Sequence, residues 1–242
     1  MEVRRISGER VRSLYNQLDD MWAADAWHGH TKKRLVSHVR KQQHLAKNAD
    51  VVLHVGSAGE SYGLNGRWNF HLDLAEKRLH GTPNAIIGDA HALPIRPNSI
   101  DLCTCVGSVL NYCDAVVVLG QISKALKAGA HLILEFETSD SWEFVGTPVH
   151  RRSAVLSETF YGGDPDCELW LYSLSYIRAL LAANNLAINS VDRSHVLSSL
   201  VYRLSKDISL SAKFGFVDVV AERMPVLRGG AANIILLCQK KP

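Results

Sequence analysis

Residues 51–63 read VVLHVGSAGESYG, an apolar run broken by one histidine and followed by three glycines within eight residues. The run VVLHV predicts a buried strand. Glycine directly after such a strand permits positive φ and a close backbone approach. Those properties serve a tight turn or a cradle for a small ligand, and the stretch alone leaves both open. Working outward, the same texture recurs in WNFHLDL (68–74), NAIIGDA (84–90) and SIDLCTCVGSV (99–109). A helix over about 114–127 then leads into HLILEFE (131–137). Short, nearly continuous apolar strands alternating with crossovers predict an α/β fold whose doubly wound, mostly parallel sheet is covered on both faces.

The flanks differ in character. The first 48 residues predict a helical cover, with one helix over Glu9–Met21 and a second from about Thr31, as N-cap, to Lys47. The stretch WAADAWHGH between them reads as a glycine-interrupted connection. Residues 49–242 form the sheet domain, with a substrate-side segment at about 138–173 that contains the turn-rich, aromatic TFYGGDPDCELWLYS. A helix over 174–186 stops at Asn184–Asn185. FVDVVAERMP and ANIILLCQK read as two strands joined across Gly229–Gly230, a terminal antiparallel hairpin.

At 242 residues and 47% apolar, the chain is long enough for one well-buried core and too apolar to be disordered. A net charge of +3 is mild for a polyanion binder. The basic stretch Lys32–Lys47 is interleaved with Leu35, Val36, Val39 and Leu45 and reads as the wet face of an amphipathic helix. Five cysteines at irregular spacing do not make a disulfide framework. No apolar run reaches the ~20 residues of a membrane span, so a soluble cytoplasmic protein is expected.

In an open parallel sheet ligands bind at the carboxyl ends of the strands. Gly56, Ser57, Ala58 and Gly59 follow the first strand, and Asp73 and Leu74 end the second. Gly88, Asp89 and Ala90 follow the third, and Gly107, Ser108, Val109, Leu110, Asn111 and Tyr112 follow the fourth. Two carboxylates and a glycine turn around one cleft describe a nucleoside pocket.

This run, over roughly residues 50–137, resembles the class I S-adenosylmethionine-dependent methyltransferases. VVLHVGSAGES is similar to their first motif, and HLDLAEKRL to the second-strand acid with its helix. GDAHALPIRPNSIDLCTCVGSVLNY resembles the third and fourth motifs, and ALKAGAHLILEF the turn into the fifth strand. The resemblance implies a Rossmann-like, seven-stranded methyltransferase fold with S-adenosylmethionine as cofactor. It places Gly56, Ser57, Ala58 and Gly59 against the methionine moiety and Asp73, with Leu74, at the ribose. Asp89 and Ala90 fall at the adenine, and Gly107 and Ser108 near the sulfonium. His54 stands where the family carries an acid, and Ala58 where it carries glycine. Gly56 and Asp73 are only 17 positions apart, so the first crossover helix shrinks to about a turn.

Methyl transfer needs a positioned nucleophile and, for some acceptors, a base. Catalytic candidates are His28, Tyr15, Asn111, Glu135 and Glu137. Trp22, Trp27, His30, Tyr112, Phe160, Tyr161 and Trp170 are further pocket candidates, and no metal site is expected at the H-x-H pair His28–His30. Asp101 reads as structural. The leading expectation is transfer to N or O of a small or medium-sized metabolite. An RNA or protein methyltransferase and a catalytically inactive cofactor-binding partner or sensor are the alternatives; no membrane partner is expected, and the oligomeric state is open.

Overall fold

The computed structural model describes residues 6, 8–18, 22, 25–159 and 167–242. Its centre is a sheet of seven strands: β1 (Val51–Val55), β2 (Trp68–Asp73), β3 (Ala85–Ile87), β4 (Ile100–Cys105), β5 (Leu126–Glu137), β8 (Leu186–Ser194) and β9 (Asn233–Lys240). The strand order is β3-β2-β1-β4-β5-β9-β8. β1 to β5 run parallel, and β9 is antiparallel to both its neighbours, β5 and β8. The order reverses at β1/β4, the place where a doubly wound sheet opens a crevice. A separate hairpin of β6 (Ala154–Thr159) and β7 (Cys167–Tyr172) lies within 138–173.

Alternation along the strands sorts side chains onto two faces. Leu53, Val55, Cys103, Cys105, Leu132, Leu134 and Phe136 meet α4 (Ala115–Ala125) and α5 (Leu174–Ala183) through Val118, Leu119, Ile122, Ile177 and Leu181. Val52, Leu102, Ile133 and Ile235 face the other way, onto Leu35 and Val39 of α2 (Ala26–Lys41). Cys103 and Cys105 are buried, and burial pushes both thiols well up, so they pack as small hydrophobes. Asp101 accepts from the Val51 amide at 2.9 Å and from Lys127 Nζ at 2.6 Å, pinning β1 to β4 and β5.

The expected elements are corrected in several places. α1 spans Gly8–Gln17, and 19–21 fall outside the described residues. The second helix begins at Ala26: Asp25 is its N-cap, accepting from the His28 amide at 2.9 Å, so Trp27, His28 and His30 are helical. Thr31 is therefore interior and buried, and the helix breaks at Gln42 before α3 (Gln43–Lys47). Between β1 and β2 there is no helix at all, only turns closed by Glu60 N–Ser57 O and Leu64 N–Ser61 O. FVDVVAERMP is no strand. It contains α8 (Asp218–Ala221), which follows α6 (Leu197–Ser205) and α7 (Ile208–Ala212). The hairpin partner expected for β9 is replaced by β8, over residues for which no strand is expected from the sequence; Asp218, buried, caps α6 by accepting from the Leu197 amide at 2.7 Å. Asn184 and Asn185 do end α5, Asn185 at φ +57°.

Candidate active site

The carboxyl ends of β1, β2, β3 and β4 open into one cavity of about 640 Å³. Gly56, Asp73, Leu74, Asp89, Ala90 and Gly107 all line it. Gly56 sits at φ +62°, and a Cβ there would lie 2.5 Å from Cγ1 of Val109, another lining residue. The chain therefore has no room for a side chain at this point, which answers the question raised by the glycine run. Ala58 also takes a left-handed conformation, at φ +46°, and its amide donates to Asp73 Oδ2 at 2.8 Å. The other Asp73 oxygen accepts from the Ala75 amide at 2.8 Å. Burial raises the Asp73 carboxyl above the ordinary range, against the pull of these amides. With three backbone amides acting on it, the carboxyl keeps lone-pair capacity for a ligand hydroxyl.

At the β3 exit, Asp89 caps a 3-10 turn at Ala90–Ala92 by accepting from the His91 amide at 2.9 Å. The His91 ring is held at both nitrogens. Its Nε2 accepts from the Asp114 amide at 2.9 Å, so Nδ1 carries the proton and donates to Asp89 Oδ1 at 2.7 Å. His91 lines the cavity and was not singled out from the sequence; the D-x-H spacing after the third strand is the signal that marks it.

The β4 exit is held from beneath. Glu135 Oε2 accepts from the amides of Gly107 and Ser108 at 2.9 and 2.6 Å, and its Oε1 accepts from Asn233 Nδ2 at 2.8 Å. Glu137 accepts from Ser108 Oγ at 2.8 Å. Burial pushes Glu135 up to about 7 despite its donors, and raises Glu137 too. Below the glycine turn, His54 and His71 stack at 4.7 Å. His54 Nδ1 meets Thr104 Oγ1 at 2.9 Å and His71 Nδ1 meets Ser57 Oγ at 3.1 Å. Burial, with His71 alongside, drives His54 down to about 3, so where an acid was expected there stands a neutral imidazole.

Residues 62–134 match a family model described as a methyltransferase domain. The chain is similar in fold to geranyl diphosphate C-methyltransferase from Streptomyces coelicolor A3(2), at TM-score 0.64 and 9% identity over 98% of this chain and 100% of that one. It is also similar to an S-adenosylmethionine-dependent methyltransferase from Mesorhizobium loti (TM-score 0.57, 15% identity, 84% and 96% covered). A third similar structure is the 1,6-didemethyltoxoflavin-N1-methyltransferase of Burkholderia thailandensis (TM-score 0.53, 11% identity, 100% and 94% covered). A search of curated protein sequences gives no match.

Most of the candidate bases stand apart from the cavity. Of His28, Tyr15, Asn111, Glu135 and Glu137, only Tyr15 lines it, its ring 5.7 Å from that of Tyr112 and edge-on. Asn111 is fully buried and donates to the carbonyls of Glu137 and Trp170, and Glu135 is spent on the β4 exit loop. His28 pairs with Asp25 at 2.6 Å on the first turn of α2. Trp27 stacks on His195 at 3.8 Å, with His30 edge-on to the same ring. Tyr112 and Trp170 do line the cavity, while Phe160 and Tyr161 lie outside the described residues. Ser57, Ala58, Gly59 and Ser108 support the cradle from behind and are not in its wall. None of Lys32, Lys33, Arg40 or Lys41 reaches the cavity; they border a shallow groove elsewhere. No helix among the described residues is long and apolar enough to cross a membrane.

Proposed function

We propose that this protein transfers a methyl group from S-adenosylmethionine to a small molecule held in the cavity at the carboxyl edge of the sheet. The observation that carries the reading is that Asp73 and Asp89 border one cavity with Gly56 and Gly107, at the point where the strand order reverses. The residues fit the cofactor: a side-chain-free turn at Gly56, a carboxylate with free lone pairs at Asp73, and a second one oriented by His91. Gly56 would border the methionine end, with Ser57, Ala58 and Gly59 shaping its turn from outside the wall, and Asp73 with Leu74 would border the ribose. Asp89 and Ala90 would read the adenine, and Gly107, supported by Ser108, would lie along the sulfonium side. When bound, the cofactor supplies a methyl already activated on sulfur.

The protein's own part is positioning and exclusion of water. Glu135 fixes the Gly107–Ser108 amides, and Tyr15 and Tyr112 close the cavity from above. With His28, Asn111, Glu135 and Glu137 away from the wall, Tyr15 is the candidate base that remains beside a bound acceptor. The neighbours named for geranyl diphosphate and didemethyltoxoflavin support a small-molecule acceptor. Residues 1–48 act as a cover that contributes Ile6, Gly8, Val11 and Tyr15 to this cavity.

Calorimetry with S-adenosylmethionine and S-adenosylhomocysteine, on wild type and Asp73→Ala, tests the reading. Binding by wild type and at least tenfold weaker binding by the variant are expected. No binding by wild type overturns it. Binding without methylated product across a mass-spectrometric metabolite screen would replace it with a cofactor-sensing role.

A further inference from the structure

The cavity continues past the residues assigned to the cofactor. Its far wall is made by Asp114, Val116 and Val117 at the start of α4, Trp170 and Tyr172 of β7, and Tyr176 of α5. The rings form a ladder: Trp170 and Tyr172 stack at 6.3 Å and 15°, and Tyr172 and Tyr176 at 6.1 Å and 21°. The Tyr172 hydroxyl is committed, donating to the Cys113 carbonyl at 2.5 Å and accepting from the Ala115 amide at 3.3 Å. Tyr172 is buried and turns no free hydroxyl to a ligand, so it backs the wall by packing between Trp170 and Tyr176.

The charges at this wall have one sign. Asp114 uses Oδ1 to cap α4, accepting from Val116 and Val117 amides at 2.9 and 3.4 Å, which leaves Oδ2 without a hydrogen bond among the described residues. Asp73 and Asp89 border the same cavity, and among the described residues no Lys or Arg lines it. The one imidazole among the described lining residues, His91, has both nitrogens engaged. An anionic acceptor would lose its hydration here with no counter-charge among the described residues. A cation would meet a carboxylate and the negative faces of stacked rings.

We propose that the Asp114–Trp170–Tyr176 wall is the acceptor subsite and takes an aromatic molecule bearing a protonated amine. This rests on the reading of the cavity as the methyl-transfer site. The test uses the full chain and three matched probes at neutral pH: 3-phenylpropylamine, 3-phenylpropanol and 3-phenylpropionate. S-adenosylhomocysteine is titrated first, and each probe is then titrated calorimetrically into the saturated protein. The amine is expected to bind at least tenfold more tightly than the carboxylate, with the alcohol between. Asp114→Asn keeps a good helix cap, so it should leave the alcohol and S-adenosylhomocysteine affinities unchanged while cutting the amine-over-alcohol ratio about fivefold. Equal or tighter carboxylate binding, an unchanged ratio in Asp114→Asn, or no probe binding to the saturated protein each overturns the proposal. If S-adenosylhomocysteine itself fails to bind, the cofactor reading falls. The probe series without it then still decides the preference of the wall.

Discussion

Replacing Gly56 by alanine tests the cradle most directly, because two separable costs meet at one atom. The φ of +62° is left-handed, which costs a residue with a Cβ about 1–2 kcal/mol. The new Cβ would also stand 2.5 Å from Val109 Cγ1 and 3.0 Å from Val109 Cβ, and overpacking of that kind costs roughly 1–3 kcal/mol. Gly56→Ala should therefore lose about 2–5 kcal/mol, or roughly 4–20 °C in Tm for a chain of this size. Because Val109 and Gly56 both line the cavity, S-adenosylhomocysteine affinity should fall by more than tenfold. Val109→Ala removes the two closest contacts, leaves the 3.0 Å approach to Cβ, and keeps the left-handed cost. In a double-mutant cycle read by urea denaturation, Gly56→Ala should cost at least 1 kcal/mol less on the Val109→Ala background. Additive behaviour of the two substitutions would refute the reasoning, because it would mean that the wall yields without resistance.

Three further outcomes are expected. Glu135 stands at about 7 when folded against 4.5 ordinarily, so the folded state keeps a proton that the unfolded chain releases. That stability is complete below pH 4.5 and lost as pH rises through 7, on the order of 3 kcal/mol. Glu135→Gln should flatten the pH 5–8 urea-midpoint profile, and a profile as steep as wild type counts against it. Thr31→Val strands the buried His195 Nε2, which meets Thr31 Oγ1 at 2.7 Å, and should cost about 1–3 kcal/mol in urea denaturation; an unchanged midpoint would show that this bond carries no net stability. His91→Ala frees Asp89 from its orienting partner and should weaken S-adenosylhomocysteine binding about 2–10-fold by calorimetry. Wild-type affinity in that variant would remove His91 from the adenine end.

The parallel half of the fold is legible because each strand from β1 to β5 carries a local apolar run and ends on a residue type that the turn demands. The misreadings lie where a short segment fits two periods. FVDVVAERMP has valines enough for a strand, yet Asp218 within it is buried and serves as a cap for α6, a contact that no local pattern discloses. The β8 strand went unread because Asn189, Asp192 and Arg193 break its apolar run. Thr31 looks like a helix start, whereas Asp25 is the true cap; the tryptophan and glycine after it disguise a helix that begins at Ala26. At the site, the acids and glycines could be placed by their position after strands. Glu135 and Glu137 are candidates because strand five carries them, yet neither lines the cavity: both are taken up by the Gly107–Ser108 loop, which only the folded chain brings to them.

The place of β9 has a consequence for how the protein is made. β9 slots between β5 and β8, and residues 195–232 separate it from β8 in sequence. Until β9 has been synthesised, β5 offers a bare edge and β8 has no partner in the sheet. The parallel half can assemble on a growing chain, but the β8 side cannot. Nascent chains held short of Asn233 should therefore expose an unpaired, apolar β5 edge, the kind of surface that holdase chaperones bind and that pairs wrongly between molecules. The order of synthesis thus leaves the most aggregation-prone edge of the sheet to be sealed last.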